Sequence, residues 1–130
     1  MAKKITTQDI KSYKDACRLL KREPLIIDNW SFLPKSQRKA EFSRHKVETV
    51  IEALKNGKKI NFDDLNQPKY YPFFDCEKYG DGRKNDGFVL HSVIYGYDSA
   101  SVSPRLCSLT REDAEYVANT FLADYKNFMR

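Results

Sequence analysis

The stretch Thr110-Arg111-Glu112-Asp113-Ala114-Glu115-Tyr116-Val117-Ala118-Asn119-Thr120-Phe121-Leu122-Ala123-Asp124-Tyr125-Lys126-Asn127-Phe128-Met129 decides the fold. Thr110 followed three residues later by Asp113 has the form of a capping box, in which a hydroxyl and a carboxylate satisfy the first free amides of a helix. Behind it Ala114, Val117, Ala118, Phe121, Leu122, Tyr125, Phe128 and Met129 recur at helical spacing, which predicts one long amphipathic helix. An apolar stripe of that length must cover something. The residues before it supply a sheet.

In Lys69-Tyr70-Tyr71-Pro72-Phe73-Phe74-Asp75-Cys76 the period is that of an aromatic-rich strand. Pro72 has no amide for a ladder, so this strand is expected at an edge or with a bulge. Gly80–Gly87 reads as a hairpin loop and Phe88–Tyr97 as the next strand. Asp98–Ser101 then reads as a turn and Ser103–Leu109 as a third strand. Two short connections in succession predict a three-stranded antiparallel meander beneath the C-terminal helix.

Toward the N-terminus, Ser12 and Asp15 cap a short helix carrying Tyr13, Ala16, Cys17 and Leu20 on one face, and Pro24 is expected to end it, since proline disfavours helical geometry in the residue before it. Leu25–Ile27 and Trp30–Leu33 are too apolar for a solvated linker and read as a connector packed on the core. A second helix runs from about Ser36 to Asn56, with Gly57 as its stop and Ala40, Val47, Val50, Ile51 and Leu54 on its inner face. The expectation is an α+β fold of order ααβββα, forming a single domain over residues 1–130.

At 130 residues, 41% hydrophobic and 13% aromatic, the chain can bury a core without disulfide or metal staples. No apolar run approaches the ~20 residues of a membrane span. The N-terminal residues lack the apolar core of a signal peptide. These features lead us to expect a cytoplasmic protein, or one of a particle assembled in the cytosol. Three cysteines, Cys17, Cys76 and Cys107, have no paired spacing; Cys17 and Cys107 read as small buried hydrophobes.

The net charge of +5 is uneven, with 15 Lys/Arg against 9 Asp/Glu in residues 1–65 and 8 against 9 in residues 66–130. Lys35, Arg38, Lys39 and Lys46 share a face of the second helix, with Phe42 among them. Such a face can attract phosphates or an acidic protein, or simply keep the helix soluble. Tyr70 and Phe74 alternate with Tyr71 and Phe73 along the first strand. One pair builds the core. We assign Tyr70 and Phe74 to the open face, with Tyr95 or Tyr97 beside them, as a platform for a base or a protein partner.

Ala53–Gly57, Gln67–Phe74, Ser103–Cys107 and Ala114–Tyr116 resemble, in order and spacing, an uncharacterised family of small proteins of tailed phages and prophages of gut bacteria. The resemblance covers the chain from the first helix onward. It implies a viral context and supplies no active-site residues.

No nucleophile elbow surrounds His91, and neither His91 nor His45 sits in a paired metal-ligand spacing. The Gly80–Gly87 loop lacks the order of a phosphate-binding loop and precedes a strand. The reading that results is a non-enzymatic phage accessory protein that binds a host or viral protein, as an inhibitor of a host system or a virion component. The partner site would comprise Lys35, Arg38, Lys39, Phe42, Lys46, Tyr70 and Phe74. The alternative is a nucleic-acid or nucleotide-binding protein using the same residues, and an enzyme ranks third. No catalytic residue, cofactor, metal or membrane contact is assigned, and the oligomeric state stays open.

Overall fold

The computed structural model describes residues 4–76, 88–97 and 103–129. Its helices are α1 (Tyr13–Leu20), α2 (Lys35–Leu54), α3 (Arg111–Thr120) and α4 (Leu122–Met129), and its strands are β1 (Lys69–Cys76) and β2 (Phe88–Gly96). Short 3₁₀ turns occupy Ile27–Trp30 and Pro104–Leu106. The expected hairpin loop Gly80–Gly87 and the turn Asp98–Ser101 lie outside the described residues.

Helix ends follow local chemistry. Ser12 caps α1 by accepting the Asp15 amide at 3.3 Å. α1 stops three residues before Pro24, because Lys21 adopts a left-handed conformation at φ 58°. The Lys21 and Arg22 amides then return to the Arg18 and Cys17 carbonyls, the pattern of a Schellman turn. α2 gives way to left-handed Asn56 (φ 53°) and Gly57 (φ 82°). Asn56 is more than a stop, since its side-chain amide both donates to and accepts from the backbone of Ile5.

One apolar cluster joins these elements. Val47, Val50, Ile51 and Leu54 of α2 meet Phe74 and Phe88 of the strands and Val117, Phe121 and Tyr125 of the C-terminal helices. Phe74 stacks on Phe88 at 4.7 Å and leans on Tyr125 at 4.8 Å. Cys17 and Cys107 are buried, as their apolar surroundings in the sequence predict.

The connector expected to pack on the core leaves Ile26, Ile27 and Phe32 exposed, and two further expectations are corrected. The sheet has two strands among the described residues, not a three-stranded meander. Among the described residues, the segment read as a third strand, Ser103–Leu109, pairs with β1 by one isolated bridge, in which Tyr70 and Ser108 exchange amide bonds of 2.9 and 2.7 Å. The next outward-facing position on β1, two residues along, is Pro72. It has no amide to offer, so the ladder cannot extend. Pro104 has already folded the incoming chain into a 3₁₀ turn capped by Ser103. Pro72 is nonetheless tolerated within β1 because its missing N–H would point away from β2. A bulge follows between Phe73 and Phe74, where His91 is the extra residue on β2.

The second correction concerns the long C-terminal helix, which is divided at Phe121 (φ −112°, ψ 32°) into α3 and α4. The two halves cover different surfaces. α3 lies on β1 and β2, whereas α4 packs chiefly on α2. Backbone bonds from Phe121 to Val117 and from Tyr125 to Phe121 carry the chain through the bend.

Candidate functional site

The basic face of α2 is largely spent within the fold. Arg38 donates to the Leu33 and Ser31 carbonyls at 2.8 and 2.9 Å, tying the connector to the helix start. Lys46 pairs with Asp124 of α4 at 3.0 Å and stands over the Phe42 ring at 4.5 Å. Asp124 also accepts from Ser43, which is itself buried. Phe42 is half-covered by Trp30 at 5.4 Å and Tyr13 at 6.0 Å. Lys35 and Lys39 are the members of the set left exposed.

The hairpin divides its aromatics differently from the expected scheme. Cross-strand partners share a face, so Tyr70, Pro72 and Phe74 go with Tyr95, Val93 and Leu90. Phe74 is 8% exposed and belongs to the core, which corrects its assignment to an open face. Tyr70 lies at the far end of the same face, half-buried against Tyr95 at 5.9 Å with the Arg111 guanidinium 5.8 Å over its ring. Tyr95 and Tyr97 meet edge-on at 6.2 Å and are 55% and 43% exposed. On the opposite face Phe73 is 52% exposed, edge-on to His91 at 5.7 Å, and His91 reaches Asp75 at 3.4 Å.

Lys69 holds this rim in place. Its side chain is fully buried, and its ammonium donates to the Asp64 carbonyl at 2.8 Å and to the Tyr97 carbonyl. Nothing in the sequence marks Lys69, because a lysine between a proline and a tyrosine is indistinguishable from a solvated one until its acceptors are located. The α2 cations and the hairpin tyrosines are thus anchored by different neighbours. The structure does not combine them into one site.

A polar cleft of about 330 Å³ was also missed. Arg22, His45, Glu48, Thr49, Glu52, Lys55 and Arg105 line it, drawn from the end of α1, from α2 and from the Pro104 turn. Its carboxylates already have cations, with Arg22 on Glu52 and Arg44 on Glu48 at 3.1 Å. At the cleft wall Tyr13 Oη accepts the Leu25 amide at 2.9 Å and lies 3.0 Å from His45 Nε2. Burial pushes the Tyr13 hydroxyl up to about 12 and holds His45 below the usual histidine range. A neutral imidazole accepting a hydrogen bond from the tyrosine hydroxyl fits both shifts. The histidine serves as a strut between α1, the connector and α2, with its paired acids directed to arginines. No group of three or more metal-ligating side chains occurs among the described residues.

No helix among the described residues is long and apolar enough to cross a membrane. No family model, curated protein or solved structure matches the chain.

Proposed function

We propose that this protein acts without catalysis, by binding another protein, as an accessory factor in the tailed-phage setting that its motifs resemble. The partner is a host or viral protein, which the chain either inhibits or joins in a particle. One observation carries the reading: Tyr95 and Tyr97 stay about half exposed and adjacent, on a rim fixed from below by Lys69. Tyrosines in that state supply large, stiff contact area and are enriched at interface hot spots. The test is capture of partners from host lysate with wild type and with Tyr95→Ala/Tyr97→Ala, each with and without nuclease. Nuclease-resistant partners lost in the double variant support the reading. Partners that vanish on nuclease treatment alone reject it.

A second reading, nucleic-acid binding, draws on Arg111 over Tyr70, since a cation beside stacked rings also suits a single strand. Four α2 cations would give a log–log salt slope of roughly −3 on single-stranded oligonucleotides. With Arg38 and Lys46 engaged inside the fold, the two that remain give roughly −1.4. A steep slope that falls in Lys35→Ala and Lys39→Ala would move the assignment to nucleic acid.

A further inference from the structure

The polar cleft between the end of α1, α2 and the Pro104 turn holds more positive charge than its own acids answer. Arg22 is taken by Glu52, and Arg44, beside the cleft, is taken by Glu48 at 3.1 Å. Two further cations enter the same space of about 330 Å³, Lys55 from just past the end of α2 and Arg105 from the turn. Neither has a carboxylate to itself. The Lys55 ammonium makes one hydrogen bond among the described residues, to the Pro104 carbonyl at 3.5 Å, the long limit for such a bond. Arg105 comes only to 3.9 Å from Glu48, which Arg44 already holds, and its side chain is 82% exposed.

The fold sets these two cations side by side. Lys55 reaches the carbonyl of the residue that precedes Arg105 in the chain. Ser103 fixes the turn, its hydroxyl accepting the Arg105 amide at 3.2 Å. Lys55 is half-buried, and burial holds its ammonium below the usual lysine range, with the Arg105 charge adding to the effect. Two cations drawn together at a cleft repel each other and raise the local concentration of anions.

We propose that this cleft binds a small phosphomonoester, with the phosphate between Lys55 and Arg105. The charges match, since a phosphate ester carries about −1.5 to −2 near neutral pH and a carboxylate would answer only one of the two cations. A guanidinium can meet two phosphate oxygens in parallel while the ammonium takes another, and the exposed Arg105 side chain can swing onto the ligand. The organic part has room as well. A neighbouring cleft of about 270 Å³ shares His45, Glu48 and Arg105 with the first and adds Trp30 to its lining. Spaces of this size take a small molecule rather than a length of chain. The inference does not rest on the protein-partner reading, which concerns the hairpin rim.

Calorimetric titration of the full chain at low salt, with adenosine monophosphate, a pentose phosphate, inorganic phosphate and acetate, tests it. At least one of the two esters should saturate a single site per chain, about tenfold or more tighter than acetate. Inorganic phosphate should compete for that site more weakly, and the ranking of the two esters tells a nucleotide from a sugar phosphate. Arg105→Ala and Lys55→Met should each weaken binding by about tenfold or more, the size of a lost charged hydrogen bond. Glu48→Gln, which removes the acid beside Arg105, should tighten it, and Lys39→Ala should leave it unchanged. Amide shifts of the wild type give a reading that does not depend on how any variant folds: Lys55 and Arg105 should move on addition of ester, and Tyr95 and Tyr97 should not. The proposal is overturned if neither ester saturates by about 10 mM, if the shifts miss Lys55 and Arg105, or if affinity survives both Arg105→Ala and Lys55→Met. Binding of a single-stranded oligonucleotide with none of either ester overturns it too.

Discussion

The outer face of α2 and the rim of the hairpin have similar credentials in the sequence, one being rich in cations and the other in aromatic rings. Folding treats them in opposite ways. On α2, Arg38 caps connector carbonyls and Lys46 binds Asp124, and Phe42 lies under Trp30. On the hairpin, Tyr95, Tyr97 and Phe73 keep about half of their surface in water. Charge on a helix face is weak grounds for a ligand when the chain carries its own acceptors nearby. Exposed rings are stronger grounds, since leaving an aromatic in water forgoes ~25 cal/mol for each Å² that burial would have removed.

Neighbouring residues on β1 give the sharpest test of the contrast. Phe74→Ala should cost ~3–5 kcal/mol in urea denaturation, because it empties a site between Phe88 and Tyr125. Phe73→Ala, one residue away and half exposed, should stay within ~1 kcal/mol. Equal costs for the two would erase the distinction between buried and exposed rings.

For the rim, Tyr97→Ala should weaken capture of the partner by ~2 kcal/mol or more, the size of a hot-spot loss. Its own unfolding midpoint should move by less than ~0.5 kcal/mol. A large stability loss would mean that the ring holds up the hairpin end rather than meeting a partner.

On the helical side, Asp124→Ala removes the acceptor shared by Lys46 and buried Ser43. It should destabilise the fold by ~1–3 kcal/mol. Lys39→Ala should remain within ~0.5 kcal/mol. The pair of values separates cations that build the fold from those that only decorate it.

The smallest effect is a pH dependence. Burial keeps His45 below its ordinary value, so as pH falls the unfolded chain takes up this proton before the folded one. The contribution is intact above about pH 6.5 and is lost as pH drops from there toward the folded value. Urea midpoints on either side of that pH should fall on the acid side for wild type, and His45→Gln should flatten the difference.

Much of the fold is legible residue by residue. Ser12 and Thr110 mark helix starts that the structure keeps, and the apolar faces of α1 and α2 are buried as their spacing implies. Pro72 announces an edge, whereas the extra residue of the bulge, His91, belongs to β2. What fails depends on groups far apart in sequence. Leu106, Cys107 and Leu109 look like a strand, yet Pro72 of another segment denies them a ladder. Nothing between Ala114 and Met129 signals a helix break, because the bend at Phe121 reflects two surfaces that the stripe must cover in turn. Alternation puts Phe74 and Tyr70 together on the open face, yet β1 buries one ring from each side, Tyr71 and Phe74, so alternation alone cannot say which rings are core. Arg38 and Lys46 read as solvent-facing because Ser31, Leu33 and Asp124 are not visible as their partners in a linear pattern.

Trp30 is the chain's single indole, and it stands 5.5 Å from the His45 ring and 5.4 Å from Phe42. Excited at the red edge of its absorption, where the eight tyrosines absorb little, its fluorescence therefore reports one place, the docking of the connector on α2. A cationic imidazole accepts an electron from excited indole and a neutral one does so poorly. Emission should accordingly dim as His45 takes up its proton, giving an optical titration of that strut without any label.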